Sequence, residues 1–117
     1  MRKITTLALM LGSLAAPLAA AEHEVLMMGN GYFPDYVYPE LGDTIVFRND
    51  SDIAMSATAT DDSWTTGVMQ PGAAVQLLVA EGMTQTFRDT VQPDNPAAGV
   101  IDYINPAPLQ LEENVSN

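Results

Sequence analysis

The chain reads as an all-β protein, an antiparallel sandwich of about seven strands. Three features predict this. Short apolar runs alternate with polar residues at a period of two, clusters of Gly, Pro, Asn and Asp separate the runs, and no segment gives a convincing amphipathic helix. With 117 residues and 47% hydrophobic content, the chain can build one core but not two.

The first 21 residues stand apart from that core. Arg2 and Lys3 precede an apolar run from Ile4 to about Leu14, and small residues follow at Ala19 and Ala21, the pattern of a secretory signal peptide cut after Ala21. The apolar run is short for a membrane span, and no later segment is long and apolar enough to stop transfer. The expected organisation is a signal peptide over 1–21, a domain over 22–105 and a loose, proline-containing tail over 106–117. The expected location is periplasmic or secreted, without membrane insertion after cleavage.

Within the domain, residues 24–29 (EVLMMG) form a first strand that ends in the turn Gly29-Asn30-Gly31. YFPDYVYPELGD follows, with Phe33, Tyr36 and Tyr38 among two prolines, and fits an irregular edge strand. Residues 43–50 (DTIVFRND) are the clearest strand: Ile45 and Phe47 alternate with Thr44 and Val46, and Asn49 to Asp52 supply the turn. IAMSATAT is a weaker strand. Beyond Trp64, Pro71-Gly72 marks another turn. Residues 73–82 (AAVQLLVAEG) have helix-favouring composition, but the alternation of Val75, Leu77 and Val79 assigns a strand. MTQTFRD and GVIDYI, residues 99–104, complete the set.

The formal charge is −11, and removing residues 1–21 takes away two of the four basic residues and none of the fifteen acidic ones, leaving −13. Such a field keeps the protein dispersed, disfavours nucleic acid, and speeds encounter with a basic partner at low salt. There is no cysteine, which excludes a thiol nucleophile, a thiolate metal site and a redox dithiol. Asp61-Asp62 and Glu112-Glu113 read as solvated charge, and Ser51, Ser56 and Ser63 have no base because the sole histidine, His23, is near the predicted terminus. The expectation is that the protein is not an enzyme.

The order FPDYVYPELGDTIVFRND, SWTTGVMQPG, EGMTQTF and GVIDY resembles the cupredoxins, especially the amicyanin, pseudoazurin and plastocyanin group, over roughly residues 24 to 104. The most specific elements are Phe33-Pro34, Gly42 to Asn49, and Pro71-Gly72. This resemblance implies a Greek-key sandwich and, in its copper-binding members, one-electron transfer at a type 1 centre of two His, one Cys and an axial Met. Spacing carries those ligand positions onto Met55, Arg88, Val91 and Ala97, so all four are replaced. No cofactor is therefore expected. The alternative is a copper role of another kind, using His23 and the methionines Met27, Met28, Met55, Met69 and Met83.

Two readings of Arg88 stand at this stage. Its guanidinium either fills the vacated cavity, paired with Asp50, Asp52, Asp89 or Asp94, or points to solvent, which is the register that buries Met83 and Phe87. For His23, the readings are a solvated residue at a frayed end or, if the cut falls after Ala20, a square-planar chelate of the new terminus. The former copper end, with Met55, Val91, Pro93, Pro96 and Ala97, is expected to form an apolar tip on an acidic body. This is the candidate surface for a protein partner, basic or redox-active.

Overall fold

The computed structural model describes residues 20–109. The predicted cleavage point lies at the start of this span. Residues 1–19, which carry most of the expected signal peptide, the expected tail from 110 onward and the pair Glu112-Glu113 lie outside the described residues.

Among the described residues eight strands occur in chain order: β1 Glu22–Met27, β2 Tyr32–Phe33, β3 Tyr36–Val37, β4 Thr44–Asn49, β5 Thr58–Ala59, β6 Ala74–Leu78, β7 Thr86–Arg88 and β8 Ala98–Ile101. They form two four-stranded sheets, β2-β1-β4-β6 and β3-β8-β7-β5, and the described residues contain no helix. The all-β sandwich is as expected, but its sheets are mixed. β1 runs parallel to β4, with Glu22 opposite Thr44 and Met27 opposite Asn49, and β3 runs parallel to β8. The other four pairings are antiparallel.

The stretch expected as one edge strand is split. Tyr32–Phe33 edges the first sheet and Tyr36–Val37 edges the second, with a cis Phe33–Pro34 peptide between them. The prolines explain the brevity of both pieces, since a residue without an N–H cannot extend a ladder. Two turns have the φ signature of type II: Pro71-Gly72 closed by Ala73 N–H on Gln70 C=O at 3.0 Å, and Leu41-Gly42 closed by Asp43 N–H on Glu40 C=O at 3.0 Å. Gly72 and Gly42 have φ of 86° and 93°, the position where such a turn needs glycine.

The core lies between the sheets. Alternation in β4 buries Ile45 and Phe47 completely, and Val25 and Met27 of β1 do the same. Phe87 sits at the centre, with its ring centroid 5.5 Å from Phe47, 4.8 Å from Tyr32 and 5.8 Å from Trp64. Burying such rings supplies the largest share of apolar area in a small core. Gly99 permits this packing, because a Cβ there would stand 2.5 Å from the Phe87 ring and 3.0 Å from the Asp35 carbonyl. Residues 55–59 are buried throughout, so the weakly alternating stretch there is covered on both faces.

Candidate functional site

The end of the sandwich beyond the C-termini of β1 and β4 is closed by three segments: the Gly29–Gly31 turn, residues 55–59 and the loop 89–97. Asn49 shapes the approach to it. Its buried amide donates to the carbonyls of Ile53 (2.8 Å) and Met69 (2.9 Å), and its oxygen accepts from the N–H and O–H of Ser51. Met55 then bridges Met69 by reciprocal backbone bonds of 3.0 and 2.7 Å. The fully buried Met55 Sδ accepts the Gly29 N–H at 3.1 Å.

Asp89 is the centre of this end. Only 1% of it is exposed, and its Oδ1 accepts the backbone N–H of Ser56 at 3.0 Å and of Val91 at 2.9 Å. The Ser56 hydroxyl lies 3.4 Å from the same oxygen, 2.8 Å from the Thr90 hydroxyl and accepts the Thr90 N–H at 2.9 Å. Asp89 also donates its own N–H to the Ala97 carbonyl at 2.9 Å, closing the base of the loop. Its Oδ2 is different: among the described residues it is the one buried side-chain oxygen or nitrogen without a hydrogen-bond partner. Tyr32 donates its hydroxyl to the Ser56 carbonyl at 2.6 Å. Burial, and secondarily the Asp89 charge, push the Tyr32 phenol far above its ordinary value, so it stays neutral beside the carboxylate.

The structure rearranges the residues expected here. Arg88 does not enter the end of the sandwich. It is half-exposed, its guanidinium donates to the Thr60 carbonyl at 3.2 Å, and among the described residues it forms no ion pair with the four aspartates considered as partners. The inward residue at this place is Asp89, one position further on, because the alternation that buries Phe87 turns Arg88 out and Asp89 in. Met55 and Ala97 are buried at 0% and 2% exposure and do not form a surface tip. Val91 is half-buried with its N–H on Asp89, and Pro93 and Pro96 are exposed on the loop. What the end presents is therefore a ridge from Pro93 to Pro96. A concavity of about 330 Å³ containing Gln92, Asp94 and Asn95 lies on one side, and one of about 380 Å³ containing Arg88, Pro96 and Tyr36 on the other.

His23 is not at a frayed end. It lies in β1, half-buried, with Nε2 2.9 Å from Asp43 Oδ2. It pairs at Ile45, four residues along the ladder from Met27 and Asn49, so about 13 Å of strand separates it from the Met55 end. His23 and Met55 therefore do not share a site, and a terminal chelate would have to strip His23 from both β4 and Asp43. Asp61 serves a turn: its carboxylate accepts the hydroxyls of Thr84 and Ser63 and the Ser63 N–H, which lower its pKa to about 2.

Solved structures share this architecture. A purple cupredoxin from Nitrosopumilus maritimus matches with a TM-score of 0.55 at 12% identity, over 68% of this chain and 99% of its own. A copper-containing nitrite reductase from Thermus scotoductus matches with a TM-score of 0.61 at 18% identity, over 80% of this chain and 26% of the reductase chain. This chain thus spans about a quarter of that reductase. No family profile and no curated protein matches the sequence. The likeness is one of fold, and the chain has the cupredoxin fold.

A type 1 copper ion takes two imidazoles, a thiolate and a weak thioether. The inward side chains here are Met55, whose sulfur already accepts an N–H, Asp89 and Ala97. Among the described residues no group of three or more His, Cys, Asp or Glu could hold a metal ion. The residues present do not fit that centre. Nor does any helix among them have the length and apolarity to cross a membrane.

Proposed function

We propose that this chain is an exported cupredoxin-fold module that works without type 1 copper, is not a catalyst, and binds a protein partner through the end built by loop 89–97. One observation carries the reading. At the place where a metal would hold that loop against residues 55–56, the Asp89 carboxylate does so, through the N–H groups of Ser56 and Val91. The loop is thereby fixed by the chain itself, and a rigid loop with an exposed Pro93–Pro96 ridge loses little freedom when it docks. The acidic body favours a basic partner, whose capture weakens with salt.

Copper loading tests the reading. The mature protein is titrated with Cu(I) and with Cu(II), and metal content and visible absorption are measured. The expected result is a colourless protein without stoichiometric copper. Tight one-to-one Cu(I) binding that survives His23→Ala but disappears in Met55→Leu overturns the copper-free reading, whereas loss only in His23→Ala marks a chelate at the new terminus and leaves that reading standing.

A further inference from the structure

A β-sheet edge offers unpaired N–H and C=O groups, and proteins blunt such edges with short strands, charge, proline or bulges. Among the described residues three of the four edges are two-residue strands: β2, β3 and β5. The fourth is β6, Ala74–Leu78, five residues reading AVQLL without a charge or a proline. It lies in a stretch of eighteen residues, Ser63 to Ala80, that contains no charged side chain, in a chain of formal charge −11.

The ladder fixes which groups are free. Val79 donates its N–H to Asp43 and the Ala73 carbonyl accepts from Asn49, so the odd-numbered residues bond to β4. Antiparallel alternation then directs the N–H and C=O of Ala74, Gln76 and Leu78 outward. Leu78 is 63% exposed beside them.

We propose that two copies of this chain associate through β6, pairing antiparallel about Gln76 so that two four-stranded sheets become one of eight. Three observations favour a second copy over another partner. The pairing is self-complementary, with Ala74 opposite Leu78 and Val75 opposite Leu77, so one isologous contact satisfies both edges. No charge meets another along it, whereas acidic side chains populate the remainder of the surface and repel a second copy there. A basic partner, by the same charge argument, is drawn to the acidic surface and not to this edge.

The register makes a sharp test, because the chain has no cysteine. Gln76 faces its own copy across a hydrogen-bonded pair, a Cα separation of about 5.5 Å that lies within disulfide range. Under mild oxidation Gln76→Cys should form a covalent dimer as its main product, while Glu24→Cys, exposed and off this edge, should not. By sedimentation, the unmodified chain should pass from monomer to dimer with rising concentration, and salt should raise the dimer fraction by screening the repulsion. Gln76→Lys places two ammonium groups opposite each other and should weaken association at least tenfold, with the near-ultraviolet signal of Trp64 unchanged. A chain that stays monomeric at every concentration and salt, or a Gln76→Cys variant that cross-links no faster than Glu24→Cys, overturns the proposal.

Discussion

Asp43, just before β4, and Asp89, just after β7, close opposite ends of the sandwich, and both are nearly buried at 7% and 1% exposure. In the uncut chain Asp43 uses both oxygens: Oδ1 accepts the Ala21 N–H at 3.0 Å, and Oδ2 takes the Glu40 N–H and His23 Nε2, each at 2.9 Å. Asp89 crowds its bonds onto Oδ1 and leaves Oδ2 bare. A fully bonded carboxylate is an ordinary fastener between strands. One that gathers its protein bonds on a single oxygen acts instead as a clamp on the backbone groups that this oxygen accepts. At this end they hold a long loop to residue Ser56, just before β5.

The sharpest way to break the comparison is Asp89→Ala. It leaves the buried N–H groups of Ser56 and Val91 without acceptors, a loss of about 2–4 kcal/mol. Chemical denaturation should show this, together with faster hydrogen exchange of loop 89–97. Asp89→Asn keeps an oxygen for the two N–H groups and removes the buried charge, so it should cost less than half as much by the same measurement. Equal losses in the two variants would mean that charge, and not the acceptor geometry, holds the loop.

Acid tests the other end. The Glu40 N–H first, then His23 and the Ala21 N–H, lower the Asp43 pKa from its ordinary 3.8 to about 2. Its contribution is therefore fully present above about pH 4 and is lost as pH falls through about 2. Asp43→Asn should flatten this part of the acid-unfolding profile, leaving the fall due to Asp61 and Asp102, whose pKa values are also lowered by hydrogen bonds. The smallest effect belongs to Arg88→Ala. Its one described hydrogen bond is a solvent-exposed contact with Thr60, so stability should change by no more than about 0.5 kcal/mol. A much larger loss would mean that the guanidinium does more for this end than that contact accounts for.

Most of the sandwich was legible in sequence because burial on one face imposes alternation. Ile45 and Phe47 in β4 and Phe87 in β7 stand where the pattern puts them. Pairing was less legible: the parallel contacts of β1 with β4 and β3 with β8 depend on how the chain crosses between sheets, which no local pattern records. The inward residue of the site lies one position past the one that spacing reaches. Counting from a glycine reached Arg88, whereas the strand's parity, already invoked to turn Arg88 outward, also places Asp89 inward beside Ser56. His23 looked terminal because its partner, Asp43, is twenty residues away and is brought near only by the β1–β4 register.

The pairing of β3 with β8 also sets a schedule. Tyr36 lies opposite Val100, sixty-four residues later, and β8 is an inner strand of its sheet, bonded to both β3 and β7. That sheet cannot close until almost the whole described domain is available. Chains dominated by such distant contacts fold in milliseconds to seconds, far more slowly than helical ones of similar size. A polypeptide of this design stays open while it is being made, and it locks once its last strand arrives.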